Sequence, residues 1–190
     1  MKRESVMRYL KATAQDRSGN GKPDMAVLQF FQRADNDPDE LVHEAVAVDI
    51  TADGAADILL PGDINADGYK SAEDKVLLKA FVDTFLKQGW FNPGDTWRRY
   101  LTMHVSHWAK DGVPNAIKLN FYQCCSLQGK RALVYSAAGY DGDSDGVLES
   151  FTNSDLDRDD VADHRDKLAI KVLCNAFLAF DWHTQPIKTA

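Results

Sequence analysis

The chain has 190 residues, a net charge of −7 at pH 7 and a pI near 5.1. A hydrophobic fraction of 44% is typical of a folded domain, and the acidity disfavours nucleic acid as a partner. No apolar run approaches the roughly 20 residues of a membrane-spanning helix, so membrane insertion is not expected. No signal peptide is recognised at the start, and the sequence leaves localisation open.

Alternating apolar residues predict strands in the first part of the chain. Leu10, Ala12 and Ala14 alternate with polar residues, and two further strands are predicted at 25–31 and 41–48. An apolar stripe at helical spacing then runs from 76 to 85 and predicts an amphipathic helix. A capping-box-like signature, Ser71 to Asp74, precedes it.

The same order of elements recurs in the second part of the chain. Strands are predicted near 101–105, 116–122 and 133–140, and a helix is predicted at 168–177. The motif Arg-Tyr-Leu occurs at residues 8–10 and again at 99–101. Ordered matches of this kind over about ninety residues indicate an internal duplication. We therefore predict an α+β protein of two homologous calcium-binding repeats, 1–92 and 93–190, packed as one pseudo-twofold unit. Each repeat is predicted to have β-hairpins with Asp-rich turns and one loop–helix unit.

Aspartates gather at alternate positions in five short runs, which we call the acidic loops. They are 16–24, 49–57, 63–74, 141–149 and 155–166. Asp, Asn, Ser and Gly also form turns that hold no metal, so each single loop has this alternative. Carboxylates crowded in this way repel one another, however, and five such loops together predict bound cations.

The loop 63–74 has the spacing of a calcium site. Calcium takes six to eight oxygen ligands in flexible geometry, and glycine at position six allows the sharp turn around it. The predicted ligands are the side chains of Asp63, Asn65, Asp67 and Asp74, the carbonyl of Tyr69, and Ser71 directly or through a water. This stretch resembles an EF-hand loop, and more closely the dockerin form, in which position twelve is Asp and only the exiting helix is present. The resemblance covers Asp63 to Leu86 and implies calcium binding.

The loop 155–166 is the second copy of this motif. Its predicted ligands are Asp155, Asp157, Asp159, the carbonyl of Val161, Asp163 and Asp166. Asp160 stands where glycine is expected, so we expect a positive φ at this residue. The two copies lie much farther apart than the tandem loops of a dockerin, and cohesin binding is therefore not implied.

The other three acidic loops lie between predicted strands and resemble the calcium turns of FG-GAP and VCBS repeats. Their predicted ligands are Asp141, Asp143, Asp145, Val147 and Glu149; Asp49, Thr51, Asp53, Ala55 and Asp57; and Asp16, Ser18, Asn20, Lys22 and Asp24. In these sets the position-seven residues, Val147, Ala55 and Lys22, contribute the backbone carbonyl. The counterpart of 16–24, at 107–115, has lost most of these groups and is predicted to bind no ion.

Evidence for catalysis is weak in this sequence. Neither a phosphate-binding glycine loop nor a Gly-x-Ser-x-Gly motif occurs. His104 and His107 are predicted to face opposite sides of a strand. A thiol of Cys124 or Cys125 beside a histidine is the remaining catalytic alternative.

We therefore predict a non-catalytic calcium-binding protein in which calcium is mainly structural. The first alternative is a calcium-dependent module that recognises a protein or a carbohydrate. The second is a calcium sensor whose helices move on binding. The predicted partners are calcium ions and a protein whose identity the sequence does not give.

Overall fold

The computed structural model describes residues 6–34, 37–124 and 131–183. These residues form nine strands, two α-helices and one 3₁₀ turn. The strands are β1 (Val6–Asp16), β2 (Met25–Ala34), β3 (Glu40–Val48), β4 (Ile58–Leu60), β5 (Asn92–Pro93), β6 (Arg99–Trp108), β7 (Pro114–Cys124), β8 (Arg131–Tyr140) and β9 (Ser150–Phe151). The helices are α1 (Ala72–Phe85) and α2 (His164–Ala179), and the 3₁₀ turn is Leu86–Gln88.

All nine strands belong to one sheet, in the order β4-β3-β2-β1-β6-β7-β8-β9. Neighbours in this order are antiparallel, and the short β5 adds a parallel pairing to β1. At the centre β1 pairs with β6, with Leu10 opposite Met103. The mainly antiparallel sheet and two helices confirm the predicted α+β class.

The long strands and both helices were predicted from periodicity, and the structure confirms them. The three strands that the sequence did not predict, β4, β5 and β9, have only two or three residues each. A segment of that length shows no alternation, because its pairing is set by the neighbouring strand. No helix in the described part of the chain is long and apolar enough to cross a bilayer.

Both helices pack on one face of the sheet and complete a single core. Leu10 and Leu101 from the central strands join Phe81 of α1 and Phe177 of α2 in this core, all of them fully buried. Side chains alternate between the faces of a strand, so the residues between them point the other way. We call that second face, which carries Tyr9, Lys11, Tyr100, Thr102 and Tyr122, the open face.

Strand direction decides where the acidic loops lie. The loop 16–24 follows β1 and the loop 49–57 follows β3, and these strands run in the same direction because each is antiparallel to β2. The loop 141–149 follows β8, whose direction is opposite because β6 is antiparallel to β1. The strand turns thus occupy both ends of the sheet.

Candidate metal centres

The five acidic loops share one hydrogen-bond frame. In every loop the carboxylate at position one accepts hydrogen bonds from the backbone N–H groups of positions five and six, at 2.7–3.4 Å. The accepting residues are Asp16, Asp49, Asp63, Asp141 and Asp155. The backbone therefore folds around the first carboxylate in the same way each time.

Two further hydrogen bonds recur in all five loops. The oxygen side chain at position five accepts the N–H of position seven at 2.8–3.0 Å. The closing carboxylate accepts the N–H of position two at 2.6–3.0 Å. The closing residues are Asp24, Asp57, Asp74, Glu149 and Asp166. Each loop is thereby a closed ring with its carboxylates gathered around the turn.

The backbone of the five loops is also the same. Position six has φ between 84° and 93° in the four loops with glycine there, and Asp160 has φ 68°, which confirms the expected positive value. Position four is left-handed as well, and four of these five residues are not glycine: Ala52, Ala66, Ser144 and Arg158. A left-handed non-glycine residue is strained, so the surrounding hydrogen bonds must hold this geometry. The sequence carried no signal for it.

The loop 141–149 brings four predicted ligands together. Asp141, Asp143, Asp145 and Glu149 each offer a carboxylate oxygen, and the four oxygens lie within 4.8 Å of one another. The N–H of Asp145 lowers the pKa of Asp143, but the charges of the three neighbouring carboxylates outweigh it and leave the pKa raised. This is the densest acidic group among the described residues, and its negative charge is uncompensated within the loop.

The loop 155–166 brings three predicted ligands together, Asp155, Asp157 and Asp159, again within 4.8 Å. Burial, together with the charges of Asp159 and Asp166, raises the pKa of Asp157. The guanidinium of Arg165 lies 3.0 Å from a carboxylate oxygen of Asp159. This basic side chain, which the sequence did not single out, offsets part of the negative charge of the loop.

Asp163 and Asp166 form the start of helix α2. Asp163 is the N-cap and accepts the backbone N–H of Arg165 at 2.7 Å. Asp166 is buried and accepts the N–H groups of Leu156 at 2.6 Å and Asp163 at 2.8 Å. Neither residue belongs to the three-carboxylate group. The predicted capping box is confirmed, and it uses two of the residues predicted as ligands.

The loop 63–74 has fewer charges at its centre. Position three is Asn65, whose uncharged amide donates to Asp67 at 3.1 Å. Ser71 caps helix α1, and the buried Asp74 accepts the N–H of Ser71 at 2.6 Å. Burial alone would raise the pKa of Asp74, but the backbone hydrogen bonds lower it below the ordinary value. The side chain of Tyr69, whose carbonyl is the predicted ligand, is exposed.

In the loops 16–24 and 49–57, position three is a hydroxyl residue that donates a hydrogen bond to the buried carboxylate at position one. Ser18 donates to Asp16 at 3.3 Å, and Thr51 donates to Asp49 at 3.2 Å. Burial would raise the pKa of Asp24, but the N–H groups of Arg17 and Ser18 lower it. The side chains predicted as ligands at positions one, three and five thus surround one turn in each loop, with fewer charges than in 141–149.

Helix α1 supports the loop 49–57 directly. Asp83 accepts the N–H of Ala56 at 2.8 Å, and the ammonium of Lys79 donates to the carbonyl of Ala56 at 2.8 Å. The N–H of Asp49 donates to the carbonyl of Asp24 at 2.8 Å and so joins two acidic loops. The sequence analysis missed Lys79 and Asp83, whose only sequence signal is their i,i+4 spacing on a helix.

The segment 107–115 keeps only part of the frame. Asp111 accepts the N–H of Val113 at 3.1 Å, as position five does elsewhere, and Gly112 has φ 86°. His107 stands at position one, so the position-one carboxylate that accepts two N–H groups in the other loops is missing here. A turn with a left-handed glycine at position six can therefore form without acidic side chains at all the positions that carry them in the five acidic loops.

The histidine prediction is wrong in one respect. A β-bulge between Val105 and His107 places His104 opposite Lys118 and His107 opposite Ala116. Since 116 and 118 share a face of β7, the two imidazoles lie on the same side of the sheet. No group of three metal-binding side chains in the described ranges includes a histidine or a cysteine.

The two described thiols differ in exposure. Cys174 is buried, and burial raises its pKa to about 12, which keeps the thiol protonated at neutral pH. Cys124 is half-buried, and Cys125 lies outside the described residues.

Comparisons with protein families, with characterised proteins and with solved structures found no match to this chain. Function must therefore be inferred from the side chains and the backbone geometry described above.

Proposed function

We propose that the protein is a non-catalytic calcium-binding protein and that its ions are mainly structural. The observation that carries this proposal is the identical frame of the five acidic loops, in hydrogen bonding and in φ. Chance turn formation would not place oxygen side chains at the same offsets in five rings and give position four a left-handed conformation each time, four times in a non-glycine residue. A bound cation supplies the common reason for this geometry.

The chemistry of the donors favours calcium over other metals. The predicted ligands are carboxylate, amide, hydroxyl and carbonyl oxygens, which are the ligands of hard cations. Magnesium demands near-octahedral geometry and gives up its water reluctantly, whereas calcium accepts the larger, irregular shell that such loops offer. We expect the tightest site at 141–149, where four carboxylates converge.

A structural role follows from where the loops lie. Each of the five closes a strand turn or begins a helix, so an ion there would hold together elements that meet in the same core. Ligand that binds only the folded state stabilises it by mass action, by about 2.7 kcal/mol per site at a hundred times the dissociation constant.

We further propose that the two parts of the chain are homologous repeats. The order β1-β2-β3-β4-α1 recurs as β6-β7-β8-β9-α2, and strands with the same place in this order lie at the same distance from the sheet centre. The loop–helix units in this scheme keep the resemblance to EF-hand and dockerin loops, since each has a twelfth-position Asp that begins a helix.

The test is a calorimetric titration of the chelator-treated chain with Ca²⁺ and with Mg²⁺, together with thermal melting followed by circular dichroism. We expect saturable uptake of several calcium ions and a melting temperature several degrees higher than in EGTA. The double variant Asp143→Asn/Asp145→Asn should lose one site, and Asp111→Asn is the matched control. An unchanged melting temperature and no uptake at millimolar calcium would contradict the proposal.

A second candidate is calcium-dependent recognition of a protein or carbohydrate. Apolar side chains at or beside the acidic loops, including Ile50, Tyr69, Val147 and Val161, are more than half exposed. Burial of such side chains against a partner would be favourable. A partner that binds in calcium and dissociates in EGTA would support this candidate, provided that Tyr69→Ser weakens the complex without changing calcium uptake.

A further inference from the structure

The open face of the sheet carries a groove that shares no residue with the acidic loops. It has a volume of about 220 Å³, and its lining includes Tyr9, Tyr100, Thr102, Asn120, Tyr122 and Arg131. The strands β1, β6 and β7 form its floor, and these are central in the sheet order. The groove therefore lies over the middle of the sheet and is large enough for a small molecule.

Two buried polar groups in this groove have no hydrogen-bond partner among the residues that the structure describes. The hydroxyl of Tyr100 and the side-chain oxygen of Asn120 belong to residues that are only 5% and 8% exposed. Leaving a buried polar group without a hydrogen bond is energetically costly, and native proteins rarely tolerate it without a reason. A ligand that bonds with these two groups would remove that cost.

Two guanidinium groups, of Arg33 and Arg131, line the same groove, and Lys11 lies beside one of its rings. The Lys11 ammonium lies 4.8 Å from the ring centre of Tyr100, and Arg131 lines the groove. No carboxylate pairs with either residue in the ranges that the structure describes. Burial lowers the pKa of Lys11, and the charge of Arg131 lowers it further.

The acid that lines this groove is already engaged. Asp39 lies 3.7 Å from the guanidinium of Arg33 and accepts a hydrogen bond from the hydroxyl of Tyr9. Positive charge beside Tyr100 thus remains uncompensated in a protein whose net charge is −7. An anion is the ligand that this arrangement favours.

Flat aromatic surfaces flank the cations. Tyr100 and Tyr122 are stacked, with ring centres 5.4 Å apart and an interplanar angle of 20°. Tyr9 and Phe31 are stacked in the same way, at 5.3 Å and 14°. Rings fixed in pairs present flat apolar surface to a ligand without a loss of side-chain entropy.

We propose that this groove binds a small organic carboxylate whose body is a flat ring. The carboxylate lies between Lys11 and Arg131 and accepts a hydrogen bond from the hydroxyl of Tyr100. The ring packs on the tyrosine side chains, and the side-chain oxygen of Asn120 accepts a hydrogen bond from a donor group on the ligand. The volume excludes a helix or a folded segment as the occupant.

The test uses the full chain at a fixed calcium concentration and four probes: benzoate, benzamide, acetate and sulfate. Binding is followed by the NMR signals of residues in β1, β6 and β7. We expect saturable shifts with benzoate and at least tenfold weaker binding of the other three. Lys11→Gln and Arg131→Gln should each weaken benzoate binding several-fold, with the exposed Lys171→Gln as the matched control.

Three results would overturn the proposal. The first is the absence of saturable shifts with benzoate at millimolar concentration. The second is that benzamide, acetate or sulfate binds as tightly as benzoate. Such a result would show that the groove does not require a ligand with both a ring and a carboxylate. The third is unchanged binding in Lys11→Gln and Arg131→Gln. A melting temperature within a degree of the parent chain shows that each variant is folded. Calcium uptake does not enter this readout, so failure here leaves the calcium proposal untouched, and the converse also holds.

Discussion

The acidic loops fall into two kinds that differ in which carboxylate is buried. In the strand turns 16–24, 49–57 and 141–149, the Asp at position one is buried. In the loop–helix units 63–74 and 155–166, the buried acid is the closing Asp, and the position-one Asp is not fully buried. We call the buried residue of each loop its anchor carboxylate; the anchors are Asp16, Asp49, Asp74, Asp141 and Asp166.

From this difference we infer that, within each acidic loop, one carboxylate supports the fold and the other oxygen side chains serve ion binding. The anchor carboxylate satisfies backbone N–H groups where the loop meets the core, and this task does not require an ion. The other oxygen side chains lie nearer the surface, and the calcium proposal assigns to the ion the task of offsetting their mutual repulsion. Folding and ion binding should therefore respond to substitutions at different positions.

Loss of an anchor should have the largest effect. Asp141→Ala leaves the N–H groups of Ser144 and Gly146 without their acceptor and removes one of the two acceptors of the Asp145 N–H. Asp166→Ala leaves the N–H groups of Leu156 and Asp163 without their acceptor. We expect each to lower the free energy of unfolding by about 2–4 kcal/mol even in EGTA. Urea unfolding measures this loss. An equal loss in Asp143→Ala would show that the division of tasks is wrong.

Loss of an exposed ligand should act on the ion instead. Asp143→Asn removes one charge from the four-carboxylate group. We expect calcium affinity at this site to fall about tenfold, or about 1.4 kcal/mol. Stability in EGTA should stay the same or rise slightly, because one source of repulsion is gone. Calorimetry and urea unfolding on the same sample measure the two quantities, and lower stability in EGTA would contradict the expectation.

The two loop–helix units can be made more alike at position six. Asp160 has φ 68° where its counterpart Gly68 has φ 90°. Asp160→Gly should relieve backbone strain and raise the free energy of unfolding by about 0.5–1 kcal/mol. Gly68→Asp is the reciprocal control and should lower it by a similar amount. Thermal melting in EGTA measures both effects as shifts of the melting temperature. Shifts of the same sign in the two variants would contradict the explanation by backbone strain.

The smallest effect is expected from Arg165. Its guanidinium contacts Asp159 and Asp163, and the residue at the equivalent place in the first unit is Glu73. Arg165→Gln should raise calcium affinity about two- to threefold at low salt, because a competing positive charge is removed. The gain should disappear at high salt. A gain that persists in 1 M salt would point to a steric cause instead.

The elements with a regular apolar periodicity were predictable from the sequence. Those that depend on pairing with a neighbouring strand were not. Strand alternation and the helical stripe located the long strands and both helices. The helix starts were also predictable, since Ser71 and Asp163 each precede an Asp at the third helical position. The short β4 and β9, and the bulge beside His107, depend on pairing between distant segments and left no local pattern.

The acidic loops were predictable as a set of residues but not as two kinds. Spacing alone located the oxygen side chains and the glycine at position six. Nothing in the spacing distinguished Asp166, which is buried beneath a helix start, from Asp155, which is not. The open-face groove was missed because Tyr100 and Asn120 come together only through the pairing of β6 with β7.

The central pairing of the sheet has a consequence for how the molecule comes apart. The ladder between β1 and β6 extends only from Leu10 to Ala12, whereas that between β1 and β2 extends from Val6 to Gln15. Few main-chain hydrogen bonds therefore connect the β1–β4 half of the sheet to the β6–β9 half. Most of the attraction between these halves comes from the apolar side chains beneath the helices. Hydrophobic association weakens on cooling. Low temperature should therefore weaken the β1–β6 pairing first, whereas the β1–β2 and β6–β7 hairpins, which have longer ladders, should stay folded.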